Sequence, residues 1–167
     1  MKCLTFLIGF VTVLTLLRCG PKQSSAGQFH GMWRLDKFEV LDTLSNSWSG
    51  DSVWARWTGY ILYDGEGHMG VHLSPPGYKE FDTSKSIDSL NTDELKALAQ
   101  FYQSNFVYFA DYVTTDTTIE HKRLSATDPT TWGRSLVRDF EFRGDTLVLT
   151  AHERIGGQKL RLKWIKL

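Results

Sequence analysis

From Phe29 to the C-terminus the chain repeats one pattern: a short run of alternating apolar and polar residues, then a tight-turn signal. Alternation puts residues two apart on one face of a strand, and short turns join neighbouring strands antiparallel. Such a chain can bury its apolar faces only by stacking two sheets or by closing one sheet on itself. The clearest instance is SLVRDFEFRGDTLVLT, Ser135 to Thr150, two strands turning at Arg143-Gly144-Asp145. It contains one misfit. Arg138 falls in step with Leu136, Phe140 and Phe142, while Val137, Asp139, Glu141 and Arg143 take the other face. The register aims a guanidinium into the core.

The other strands read in the same way. FHGMWRLDKFEVLD is the first; Trp33 and Leu35 are out of phase with Phe38 and Val40, which predicts a bulge near Asp36-Lys37. SVWARWTGYILYD is the second and ends at the hairpin signal Asp64-Gly65, and HMGVHLS is the third. Pro75-Pro76-Gly77 stops it, and a long polar stretch follows. NTDELKALAQFYQ is the one helix expected, with Asn91 as cap, Glu94 three residues on, and Leu95, Leu98, Ala99 and Tyr102 on one face. A loop as long as the one before it is often a lid or binding segment. FVYFADYVTT and TIEHKRLS are the fourth and fifth strands, SLVRDFEFRGDTLVLT supplies two more, and KLRLKWIKL closes the series after Gly156-Gly157. The expected fold is all-β: an eight-stranded antiparallel up-and-down barrel with one short helix between strands three and four. Eight strands enclose a space that side chains fill or that holds one small ligand. A β-sandwich is the alternative.

The first residues read differently. MKCLTFLIGFVTVLTLLRCG has a basic start at Lys2 and an uncharged run from Cys3 to Leu17, too short to span a bilayer comfortably. It has the proportions of a secretory signal and resembles a bacterial lipoprotein signal, with Cys19 as the lipidated residue. Arg18 departs from that pattern, which has a small residue before the cysteine; a simple secreted or periplasmic protein is the alternative. The expected organisation is a signal peptide over 1–18, a small-polar tether over 19–28 and a barrel domain over 29–167. Loss of residues 1–18 takes Lys2 and Arg18 from 19 basic residues and none of the 19 acidic ones, a net charge of −2. No basic stripe suggests nucleic acid. Cys19 is then the sole cysteine, so the domain has neither a disulfide nor a thiol site.

Gly31-Met32-Trp33 resembles the G-x-W signature of lipocalins. With GYILYDGEGHMGVHL, YFADYV, TIEHKRL and WGRSLVRDFEFRGDTLVLT in this order, the chain resembles the bacterial and fungal lipocalin-like domain family from about Phe29 to Trp164. That pattern pairs the G-x-W with two tyrosines around a small residue, then a histidine, then an arginine ahead of an F-x-hydrophobic run. Here these are Tyr108, Ala110, Tyr112, His121 and Arg138, with alanine where the pattern has glycine. The resemblance implies a small barrel with an interior cavity and implies no particular activity.

Register puts His121 in step with Ile119, and Tyr108 and Tyr112 on one face of the fourth strand. A buried guanidinium needs a carboxylate, carbonyls, water or an anionic ligand. Two roles are open for Arg138. It packs on Trp33 across the barrel floor, a part that Arg154 or Arg161 also suits, or it meets a ligand head group with His121 and the tyrosines. The candidate ligand-binding set is Trp33, Tyr108, Tyr112, His121, Arg138 and Phe140, with Leu35, Phe142, Leu147, Leu149, Leu162 and Trp164 as further wall. No catalytic motif, metal set or cofactor fingerprint is present; His68 and His72 would lie about 13 Å apart along a strand. The function expected is an exported, lipid-anchored barrel of the bacterial cell envelope that binds a small apolar or amphipathic ligand. A solid barrel acting through its surface, and a small isomerase or cyclase using His121 as acid–base, are the alternatives.

Overall fold

The computed structural model describes residues 25–50 and 54–167. The signal segment and Cys19 lie outside the described residues. A short helix, α1 (Ser25–Phe29), leads into β1 (Gly31–Asp42). Then come β2 (Ser47–Gly50), β3 (Thr58–Tyr63), β4 (His68–Ser74), helix α2 (Thr92–Ser104), β5 (Phe106–Thr114), β6 (Thr118–Ala126), β7 (Ser135–Arg143), β8 (Thr146–Ile155) and β9 (Gln158–Lys166). Neighbours pair antiparallel in the order β2-β1-β3-β4-β5-β6-β7-β8-β9, and β1 also pairs with β9. That pairing closes an eight-stranded barrel of β1 and β3 to β9. β2 is a ninth strand, hung on the far end of β1 through Glu39↔Gly50 to Asp42↔Ser47.

The expected elements recur, with β2 and α1 added and one strand shortened. The bulge in β1 falls between Leu35 and Lys37 against β9, as the change of phase there requires. The cap of α2 is a full box: the Asn91 side chain accepts from Asp93 and Glu94 amides, and Glu94 returns a bond to the Asn91 amide. The second expected strand is shorter than read. Trp54 to Arg56 form a turn, with Trp57 N bonded to Trp54 O, and pairing begins at Thr58. Tryptophans three apart cannot share one face of a strand; here both fold onto Phe38, with ring centroids 5.2 and 6.2 Å away.

Residues 25–28, the last of the expected tether, form α1 together with Phe29, whose side chain enters the barrel interior. The Phe29 ring is fully buried, 4.9 Å from Phe140, 4.9 Å from Phe142 and 5.1 Å from Tyr63. Trp33 Nε1 donates to the Phe29 carbonyl at 2.8 Å, which ties the tryptophan of G-x-W to the entering chain. Gly31 holds φ +118°, a conformation that side-chain-bearing residues rarely adopt, and so turns α1 into β1. Trp33, Tyr63, Tyr112, Phe140 and Phe142 pack around this plug and close one end of the barrel.

Candidate functional site

The other end is hollow. A cavity of about 240 Å³ is bounded by Phe38, Trp54 and Trp57 on one side of its mouth and by Gln103 to Phe106, the end of α2 and the start of β5, on the other. Its wall has two sectors. Ile61 of β3, Val71 and Leu73 of β4, Leu149 of β8, and Leu160, Leu162 and Trp164 of β9 make an apolar face. Tyr108 of β5, His121 of β6 and Arg138 of β7 make a polar one. Consecutive strands bring the three together because alternation turns each inward.

Arg138 finds its partner on the next strand. Its Nη1 donates to Glu153 Oε2 at 2.6 Å and to the Val137 carbonyl at 2.9 Å. The Arg138 side chain is 11% exposed and that of Glu153 37%, so the pair sits between cavity and solvent. Glu153 is inward because it is in step with Leu147, Leu149 and Ala151. It lies where the register of β8 against β9 shifts between Thr150 and Arg154, an irregularity of the kind that re-aims side chains beside sites. A second guanidinium, Arg123, is buried on β6 two residues from His121. It lies 5.9 Å from the centre of the Tyr108 ring, and burial lowers its pKa. Arg138 is the guanidinium that lines the cavity; Arg123 lies against the Tyr108 ring outside the lining and shares the fields of Glu153 and Asp128.

His121 is 1% exposed and bonded on both nitrogens, to Tyr63 Oη at 3.0 Å through Nε2 and to Tyr108 Oη at 2.9 Å through Nδ1. Burial, with Arg138 adding to it, pushes its pKa down to about 3, so the ring is neutral at physiological pH. Burial raises Tyr108 to about 12 and Tyr63 well above its ordinary value, so both are phenols. Two more polar atoms lie on cavity-lining residues. Trp164 Nε1 and Asn105 Oδ1 are buried and have no hydrogen-bond partner among the described residues.

The candidate residues therefore divide. Tyr108, His121 and Arg138 meet at the cavity, with Leu149, Leu162 and Trp164. Trp33, Tyr112 and Phe140 do not line it; they belong to the closed end, because α1 fills the space beside them. Leu35, Phe142 and Leu147 likewise pack in the core rather than line the cavity. The cation over Trp33 is Lys166, its Nζ 5.1 Å from the ring centre, and not an arginine. Arg161 lies over Trp48 instead, and Arg154 bonds the Gly157 carbonyl. Arg123, Glu153 and Tyr63 are the residues that sequence reasoning missed. Each is in step with buried neighbours, so the alternation that found Arg138 was signal enough. Asn105 and the Trp54–Trp57 rim carry no such signal. His68 and His72 engage Asp64 and Ser74 separately, at 2.6 and 2.9 Å.

No curated protein sequence matches the chain. Two solved structures are similar. Fatty-acid-binding protein 1 of Echinococcus granulosus is 9% identical over 84% of this chain and 98% of that one, with a TM-score of 0.38. A point mutant of the fluorescent protein UnaG is 12% identical over 84% of this chain and 97% of that one, with a TM-score of 0.39. The family model for the lipocalin-like domain matches residues 30–164. That match runs from His30, just before β1, to Trp164 of the closing strand, all of the barrel but the last two residues of β9, and the chain belongs to the lipocalin-like domain family.

Proposed function

We propose that the barrel binds a small, largely apolar ligand carrying one oxygen-bearing polar group. The observation that supports this most is the cavity of about 240 Å³ whose walls pair an aliphatic and aromatic face with a donor-rich one. Apolar walls with a few placed polar groups are the usual anatomy of a ligand site. Trp164 Nε1 gives independent support, since a buried donor without a partner costs stability unless something accepts from it. Among the described residues Arg138 bonds Glu153 and Val137 through Nη1 alone, which leaves N–H groups for a ligand. A solid barrel would have no such space. Acid–base chemistry is poorly served, because His121 has both nitrogens occupied and a pKa of about 3, far from neutrality.

Native mass spectrometry of protein purified gently from its own host tests the proposal. A mass increment that is lost on denaturation is expected. Protein that carries no small molecule and takes up no small amphiphile would sink it. Export and lipid anchoring belong to the same proposal; their support is Lys2, the uncharged run to Leu17 and Cys19. The full chain is expected to partition into a detergent phase and Cys19→Ala to remain in the aqueous phase. Equal partitioning of the two would reject the anchor.

A further inference from the structure

We infer that His121 is held as the Nδ1–H tautomer, accepting from Tyr63 at Nε2 and donating to Tyr108, so that the Tyr108 hydroxyl proton is left to donate to a ligand oxygen beside Arg138. The inference rests on the cavity being a ligand site and names the chemistry which that site selects.

The argument is one of satisfying buried groups. A neutral imidazole has one donor and one acceptor nitrogen, and a phenol has one proton to give. In a chain of tyrosine, histidine and tyrosine, one phenol donates to the ring and the other accepts from it. The phenol that accepts keeps its own proton for a third partner. The two tyrosines are not equivalent in this respect. Tyr63 is fully buried at the closed end, its ring packed 5.1 Å from Phe29 and 5.0 Å from Tyr112, and it does not line the cavity. Among the described residues, the only hydrogen bond recorded for its hydroxyl is with His121 Nε2. Tyr108 lines the cavity alongside His121 and Arg138.

If Tyr108 donated to Nδ1, the Tyr63 proton would be stranded in an aromatic core. An unmade bond of that kind biases the tautomer by roughly ten- to a hundredfold. The opposite polarity satisfies Tyr63 and turns the free proton of Tyr108 to the cavity. There it joins the spare N–H groups of Arg138 and the unpartnered Trp164 Nε1. The polar wall then presents donors, with Asn105 Oδ1 at the mouth as an unpartnered acceptor apart from it, so the ligand group the wall fits is a carbonyl or carboxylate. A hydrocarbon would leave those donors unpaired.

Nitrogen-15 NMR of histidine-labelled protein reads the tautomer without any ligand, with His121→Gln identifying the resonance. The expected result is a proton on Nδ1 and none on Nε2; the reverse overturns the inference. For the ligand arm, 3-phenylpropanoate, 4-phenyl-2-butanone and propylbenzene are titrated and followed by amide shifts. The acid and the ketone are expected to bind at least tenfold more tightly than the hydrocarbon, and Tyr108→Phe to remove most of the preference for the ketone. Equal binding of all three overturns the donor role and leaves the cavity as a ligand site. Binding of none rejects the ligand site and with it the donor role, while the tautomer is decided by the NMR result alone.

Discussion

The two ends of the barrel are built from the same alternation and much the same residue types, yet one is filled and the other is hollow. At the closed end, inward positions carry large rings, Trp33, Tyr63, Tyr112, Phe140 and Phe142, and α1 adds Phe29 from outside the sheet. At the open end they carry shorter aliphatic side chains, Ile61, Val71, Leu73, Leu149, Leu160 and Leu162, and the aromatic residues form the mouth. A guanidinium, an imidazole and a phenol occupy the remaining sector. Those groups must be hydrogen-bonded and cannot simply close on an apolar wall. Side-chain volume and polar obligation, rather than strand pattern, decide which half of the barrel holds space.

The largest expected effect tests the plug against the rim. Phe29→Ala removes a fully buried ring and should cost about 3–5 kcal/mol. Trp54→Ala removes a half-buried ring at the mouth and should cost less than half of that, by the same reasoning. Urea denaturation of both variants measures the difference, and equal losses would erase the distinction between the two ends.

His121 stands where the ends meet, bonded to Tyr63 on one side and Tyr108 on the other. Its folded pKa of about 3 lies below the roughly 6.5 of an unfolded histidine. Between those values the unfolded chain binds the extra proton, so stability rises with pH and falls as the solution is acidified. From pH 6.5 to 4.5 this group should remove about 2.5 kcal/mol. His68, whose pKa is raised by Asp64, acts in the opposite sense, so the comparison to make is wild type against His121→Gln. Parallel pH–stability curves for the two would break the assignment of a neutral, buried imidazole.

The smallest expected effect on the fold comes from the polar sector. Arg138→Met frees Glu153, which is 37% exposed and can rehydrate, so stability should change by about 1 kcal/mol or less. Affinity for 3-phenylpropanoate should fall at least tenfold, or about 1.4 kcal/mol. Calorimetry with thermal melts separates the two. A large loss of stability with unchanged affinity would make Arg138 a structural residue.

Much of this was legible because a strand has a period of two. That period placed Tyr108, Tyr112, His121 and Arg138 inside, set the bulge near Asp36-Lys37 and gave every strand of the barrel. It says nothing about depth along the barrel axis, so Trp33, Tyr112 and Phe140 read as equal to Tyr108 although they pack at the far end. The same period also turns Arg123, in step with Ile119 and His121, and Glu153, in step with Leu149 and Ala151, inward, against the tendency of charged residues to lie on the outer face. The short strand β2 and the Trp54–Trp57 turn escaped for different reasons. β2 pairs locally with the end of β1, but its four residues are too few and too polar to show an alternation, whereas the Trp54–Trp57 turn is placed by Phe38, well back along the chain.

By itself the sequence determined antiparallel strands joined by short turns, with an arginine pointing inward, because side-chain alternation and turn chemistry are local properties; closure through β1 and β9 came from the tertiary structure. The tertiary structure alone decided that Arg138 pairs with Glu153, that Phe29 plugs one end and that a cavity is left at the other. Those outcomes depend on how strands of different length stagger around a barrel and on which side chains then meet across it.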